Sequence, residues 1–230
     1  MNSELTNANL IIAFDMDGVL LDSVNSVESS LMRALMTNGI PIAKDFELRQ
    51  SLGKPLVELV GLASAVPLSR TQTAACIVDY RQINDGVTPS ELTVYPGVFE
   101  MLAHSAELFD LCVLTTKNQK SAKRQLAATG LSDYFVGVFG TVRDDLSVSK
   151  DVRWIQAEEI MSRKLKVEIA LLVGDRASDI IAAKKLGRPA IGAGWGYGSL
   201  GELIDASADA IAAHPSAVPK LVQKLCMSVS

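Results

Sequence analysis

Two aspartates one residue apart, Asp15 and Asp17, stand directly after the apolar run Leu10-Ile11-Ile12-Ala13-Phe14 and before Gly18. In extended chain, residues i and i+2 point to one side, so both carboxylates face one space while Met16 turns away. Gly18 lets the backbone turn sharply and come close to a ligand. Two such carboxylates repel unless they share a cation. A second acidic group, Gly174-Asp175-Arg176-Ala177-Ser178-Asp179, comes after another apolar run, with Asp175 and Asp179 about one helical turn apart. A hard divalent cation that keeps several waters and takes few protein carboxylates, such as magnesium, suits these oxygens. A third apolar run ends in Thr115-Thr116-Lys117-Asn118 ahead of a helix, where a hydroxyl and backbone N–H groups form a cradle for phosphate. Lys150, which opens a further helix after Ser147 and Ser149, brings a fixed positive charge. A cation between carboxylates, a cradle and a fixed lysine together suit a ligand that carries a phosphate group.

Taken singly, each of these has a plainer explanation. An Asp-x-Asp-Gly can be a turn, a threonine at a strand end can cap the next helix, and a lysine can simply be solvated. Together they carry more weight, because all of them fall where strands end. Ligands of open α/β sheets gather beyond the carboxyl ends of the strands.

The elements that must carry these residues are apolar runs at 10 to 14, 111 to 114, 136 to 139, 169 to 173 and 190 to 191. Runs apolar on both faces suit strands of a buried parallel sheet. Helical segments at 97 to 108, 118 to 129, 150 to 162 and 176 to 186 alternate with them, punctuated by Gly130, Gly187 and Pro189. The alternation predicts an α/β open sheet. Residues 24 to 93 break the rhythm. Val24, Val27, Leu31 and Leu35 form an amphipathic stripe, and helical patterns come next at 45 to 52, 55 to 64 and 70 to 84 without a convincing strand. This predicts a helical insertion between the first two strands, with residues 1–22 and 94–230 forming the core and 23–93 the inserted domain.

The 230 residues are 48% apolar and 21% charged, as in an ordinary soluble globular chain with a sizeable core. A net charge of -4 argues against nucleic acid, whose binding needs clustered cations. Cys76, Cys112 and Cys226 are odd in number and far apart, so neither a disulfide framework nor a CxxC knuckle can be built. There is no signal peptide pattern and no apolar stretch near the roughly 20 residues that span a bilayer. The expectation is a cytoplasmic protein with no membrane partner. Gly192, Gly194, Gly196 and Gly198 do not satisfy GxGxxG, since Tyr197 and Ser199 occupy the positions of the third glycine. They predict a flexible loop near the sheet edge rather than a dinucleotide site.

The sequence resembles the haloacid dehalogenase-like superfamily over essentially its whole length. FDMDGVLLDS at 14 to 23, LTT at 114 to 116, Lys150 and GDRASD at 174 to 179 match its four motifs. YPGV at 95 to 98, WGYGS at 195 to 199 and ADAI at 208 to 211 are similar to its phosphoglycolate phosphatase-like branch. The resemblance implies a Rossmann-like three-layer core with an α-helical cap inserted after the first strand. It implies Asp15 as nucleophile, Asp17 as general acid/base and Thr115 and Lys150 on the transferring phosphoryl group. Mg²⁺ would be held by Asp15, the Asp17 backbone carbonyl and Asp175, with Asp179 a ligand or a partner behind the ligands. Val19 stands where threonine is common, and Asp151 comes after Lys150 where proline is frequent, leaving Lys164 and Lys166 as alternatives.

The activity this implies is hydrolysis of a small phosphomonoester, of phosphoglycolate or sugar phosphate type, through an aspartyl phosphate. The alternative is a phosphomutase of the same superfamily, similar to beta-phosphoglucomutase. Gly18 and Thr116 would contact the substrate. In the cap, Lys54, in the turn Gly53-Lys54-Pro55, would meet a substrate anion, whereas Arg49 and Arg81 read as solvated cations. The expected partners are a small phosphorylated metabolite and a second copy of the chain in a homodimer.

Overall fold

The computed structural model describes residues 10–52, 54–142, 148–162 and 167–227. The elements run β1 (Leu10–Phe14), β2 (Leu21–Asp22), α1 (Val24–Thr37), α2 (Leu48–Ser51), α3 (Leu56–Ala63), α4 (Arg70–Asp85) and β3 (Thr93–Val94). They continue with α5 (Val98–Ala106), β4 (Asp110–Asn118), α6 (Gln119–Ala128), β5 (Gly137–Thr141), α7 (Lys150–Ser162) and β6 (Glu168–Gly174). The chain closes with α8 (Ala177–Lys185), β7 (Ala190–Ala193), α9 (Leu200–Asp205), β8 (Ala210–Ala212) and α10 (Val218–Met227).

Six strands form a sheet in the order β5-β4-β1-β6-β7-β8, with every described pairing parallel. The chain winds outward from β1 through β4 to β5, then returns to the other side of β1 for β6, β7 and β8. The reversal lies between β1 and β6, and such a switch point opens a crevice beyond the strand ends. β1 shows why its run is apolar throughout. Ile12 and Phe14 enter a core shared with Val98 and Leu102 of α5, Leu126 of α6 and Val222 of α10. Ile11 and Ala13 enter the core on the opposite face, with Trp154 of α7 and Ile180 of α8. A strand buried on both faces cannot alternate polar with apolar residues.

The chain divides into two compact units, 1–21 with 94–230 and 22–93. The second is a helical cap inserted after the first strand. Within it, α1 buries Val24, Val27, Leu31, Ala34 and Leu35 and packs on α4. Two side-chain hydrogen bonds tie these helices, from Asn38 Nδ2 to Asp79 Oδ2 at 2.7 Å and from Asn84 Nδ2 to Ser30 Oγ at 3.3 Å. α4 begins with a capping box, in which Ser69 Oγ accepts from Gln72 N and Gln72 Oε1 accepts from Ser69 N.

Two details depart from the sequence expectation. The helix expected at 45 to 52 is only Leu48–Ser51. The preceding backbone is engaged elsewhere, since Ile42 bridges Ser64, Ala43 N donates to Ala63 O, and Phe46 N donates back to Ala43 O. The edge strand Ala210–Ala212 was not anticipated, because three small or apolar residues carry no period. Among the described residues, no helix is long and apolar enough to cross a membrane.

Candidate active site

Asp15 extends β1 by one hydrogen bond, from its N–H to Val173 O of β6 at 2.9 Å. The chain then curls tightly, with Leu20 N and Leu21 N both donating to Met16 O and Gly18 N to Leu21 O. Met16 is fully buried in the core, so the side chains on either side of it point away from that core. Gly18 has a φ of +87°, and a Cβ there would lie 2.2 Å from Asp175 Oδ2. Only glycine allows this loop to meet the end of β6.

Across the switch point, Asp175 is completely buried and Asp179, one turn into α8, nearly so. Asp15, Asp175 and Asp179 each place a carboxylate oxygen within 4.8 Å of the others. Lys150, the first residue of α7, is buried with them. Its Nζ is 2.9 Å from Asp15 Oδ2 and 2.5 Å from Asp179 Oδ1. Lys164 and Lys166 lie outside the described residues.

Three carboxylates around one ammonium leave an excess of buried negative charge, and the protonation equilibria register it. Burial, opposed by Lys150 and reinforced by Asp179, pushes the Asp15 carboxyl up to about 6. Burial and the charges of Asp179 and Asp15 hold Asp175 well above the usual carboxylate range. For Lys150, burial is the largest single influence and works against its charge, but Asp15 and Asp179 together outweigh it and raise the ammonium.

The free lone pairs in this cluster are unevenly distributed. Asp15 Oδ1 accepts from Met16 N at 2.8 Å. Asp179 uses Oδ1 for Lys150 and Oδ2 for Arg176 N at 3.0 Å. Asp175 Oδ2 accepts from Tyr197 N at 2.7 Å, while its Oδ1 is buried without any hydrogen-bond partner. An orphaned buried carboxylate oxygen is costly unless a cation meets it. This donor set, oxygen alone with an excess of negative charge, fits a hard divalent ion.

Asp17 behaves differently. Its carboxylate is outside the three-aspartate cluster and forms a bidentate pair with Lys117. Any contact of Asp17 with a metal would therefore fall to its backbone carbonyl. Thr115 is buried within β4, three residues before its end, and its Oγ1 accepts from Lys117 N at 3.2 Å. Thr116 turns its side chain outward, and its carbonyl accepts from Thr141 Oγ1 at 2.8 Å. The cradle expected at the start of α6 is narrower than it reads in sequence. Asn118 Oδ1 caps the helix and takes the N–H groups of Lys120 and Ser121. Lys54, in the helical unit, is paired with Glu58 one turn on, and Gly53 lies outside the described residues.

Sequence reasoning passed over three contributors. Lys117 was only part of a loop motif. Glu202, on α9, accepts from Arg176 Nε at 2.9 Å and Ala177 N at 2.8 Å. In the glycine-rich segment after β7, Gly196 and Gly198 sit on Asp175 itself, and these glycines serve close approach more than freedom. The signal was present in the density of glycines after β7, although it named no partner.

Known proteins share both the sequence pattern and the fold. The family model described as haloacid dehalogenase-like hydrolase matches residues 12–193. A protein of Dickeya dadantii named probable phosphatase IndB is 31% identical over 84% of this chain and 84% of its own. A phosphoglycolate phosphatase of Vibrio vulnificus is 33% identical over 86% of this chain and 88% of its own. The crystal structure of a predicted phosphatase from Clostridium acetobutylicum superimposes with a TM-score of 0.82 at 26% identity, over 95% of this chain and 100% of that one. With the sheet order, the inserted helical cap and the aspartate cluster at the switch point in agreement, the chain belongs to the haloacid dehalogenase-like hydrolase family.

Proposed function

We propose that the protein is a magnesium-dependent phosphatase that hydrolyses a small phosphomonoester through an aspartyl phosphate on Asp15. The observation that carries this reading is the placement of Lys150 Nζ against Asp15 and Asp179 beside the unpartnered oxygen of Asp175. A carboxylate nucleophile is thereby held next to one fixed positive charge and an oxygen that suits a second.

Asp15, Asp175 and the Asp17 carbonyl would hold the ion. Asp179, whose oxygens already carry Lys150 and the Arg176 N–H, sets the charge of the site and orients Lys150. When bound, magnesium supplies positive charge opposite the oxygens of the transferring group. Asp15 attacks phosphorus in line, and the bond to the ester oxygen breaks as the aspartyl phosphate forms. Lys150 and the Thr115 hydroxyl stabilise the equatorial oxygens, with Gly18 and Thr116 supplying contacts at the loop ends. Asp17 must first take up a proton; it then gives that proton to the departing alkoxide and takes one from the water that attacks the aspartyl phosphate. The helical cap, with Lys54, selects the substrate. The Vibrio relative named phosphoglycolate phosphatase favours a small anionic phosphate ester. Such a metabolite sets the work of the enzyme in the cytoplasm.

The test is a phosphate-release screen over phosphoglycolate, sugar phosphates and other small monoesters, with magnesium and after exhaustive chelation. Release that depends on magnesium is expected. Full release after chelation would remove the metal, and conversion of one sugar phosphate isomer to another without release would make the enzyme a mutase.

A further inference from the structure

The segment between β7 and α9 is built onto Asp175. A Cβ on Gly196 would stand 2.3 Å from Asp175 Cβ, and one on Gly198 would stand 1.9 Å from Asp175 O. Side chains at these two positions are excluded because the loop rests directly on the aspartate. From the same loop, Tyr197 N binds Asp175 Oδ2, and Trp195 Nε1 donates to Val19 O at 3.0 Å in the loop that comes after Asp15. One strip of backbone therefore fixes the Asp175 carboxylate and touches the neighbouring aspartate loop.

A strip this rich in glycine does not hold its own shape, so its ends must be tied. At its start, Gly194 N donates to Ala212 O at 2.8 Å, which continues the pairing of β7 with β8. At its far end, Ser199 Oγ accepts from Glu202 N at 3.0 Å and caps α9, setting Glu202 in the first turn. Glu202 then reaches back with one oxygen to Arg176 Nε and Ala177 N, in the two residues directly after Asp175. The loop is thus closed on both sides of the aspartate it orients.

We propose that Glu202 is a positioning residue for the cation site. By pinning the loop 194–199 to residues 176–177, it keeps Tyr197 N on one oxygen of Asp175 and leaves the other without a partner, in an aspartate that clusters with Asp15 and Asp179. Glu202 touches neither substrate nor ion. It sets how well the ion is held. This rests on the metal-dependent reading above.

The experiment is Mn²⁺ binding to the purified protein, monitored by electron paramagnetic resonance, with apo-protein unfolding measured alongside. Residues that orient metal ligands typically alter affinity by about 10–100-fold, so E202A should bind Mn²⁺ about 10–100-fold more weakly. E202Q keeps an oxygen for Ala177 N and Arg176 Nε and should stay within about threefold of the parent. Magnesium-dependent phosphate release by E202A should recover as magnesium is raised, which a merely destabilised variant would not show. If E202A does not fold, E202D, whose carboxylate falls one methylene short, carries the same expectation. Parental affinity in E202A or E202D overturns the role of Glu202 alone. A parent protein that binds no Mn²⁺ overturns the metal reading and this proposal with it.

Discussion

Lys117 Nζ lies 3.0 and 2.9 Å from the two carboxylate oxygens of Asp17, joining the end of β4 to the loop after β1 across 100 residues of sequence. The lysine side chain is only 9% exposed and that of Asp17 is 27% exposed, so the pair is shielded on one side and open on the other. Bidentate contact fixes both the position and the rotation of the carboxylate. Lys117→Met should therefore let Asp17 swing. Misplacement of a reacting group by about 1 Å can cost about 10²-fold, so kcat is expected to fall by about 10–100-fold. Lys117→Arg should recover part of it. Steady-state kinetics on an alkyl phosphate checks this, and an unchanged kcat in the methionine variant would leave the pair without a catalytic consequence.

Asp15→Asn should lower turnover by at least about 10⁴-fold while circular dichroism remains that of the parent, since a carboxamide of the same shape cannot attack phosphorus. Phosphate release near the parental rate would remove Asp15 as the nucleophile.

Asp17→Ala separates the two displacements. Nitrophenolate leaves without a proton, so the first step on p-nitrophenyl phosphate should survive, whereas water still needs a base in the second. General acid–base assistance is typically worth about 10²–10⁴-fold, and the variant should give up to one equivalent of nitrophenolate and then very slow turnover. Acid quenching should find phosphate on Asp15. Steady turnover at the parental rate without a burst would assign the proton transfers elsewhere.

The buried charge of Asp15 also has a signature in stability. In the metal-free protein, burial, countered by Lys150 and reinforced by Asp179, lifts its carboxyl from 3.8 to about 6. A raised carboxyl pKa means that the folded protein holds this proton more tightly than the unfolded chain. The benefit is complete below the unfolded value and is lost as pH rises through the folded one. Asp15→Asn keeps the group uncharged at every pH. In the presence of a chelator, the Tm of the variant minus that of the parent should be positive near pH 8 and shrink as pH falls through about 6. A difference that stays constant over that range would mean that Asp15 bears no such strain.

The fold class could be read from sequence because burial on both faces writes itself into a strand as an unbroken apolar run, as in Leu10–Phe14 and in Ile169–Val173 within β6. The meeting of Asp15, Asp175, Asp179 and Lys150 comes from chain direction, since parallel strands end at one edge and deliver their succeeding loops and helix starts there. The pairing of Asp17 with Lys117 left no comparable mark. Two residues 100 apart that touch only through their side chains share no period and no spacing. Glu202 was hidden for a related reason, because a glutamate in the first turn of a short helix also reads as ordinary capping. The false helix at 45 to 47 shows the converse error, in which local propensity lost to backbone pairing with the end of α3.

The place of β1 in the sheet has a consequence for how the molecule is made. Its Ile11 stands between Asp110 of β4 on one side and Ile169 of β6 on the other. β1 leaves the ribosome before both of its neighbours, so its apolar run waits unpaired through the whole helical insertion until β4 and then β6 arrive. Interior strands with distant partners slow folding and expose sticky segments meanwhile. Asp175 and Asp179 follow β6, so a nascent chain short of that strand carries Asp15 without the two aspartates that cluster with it. Competence arrives with the closing of the sheet.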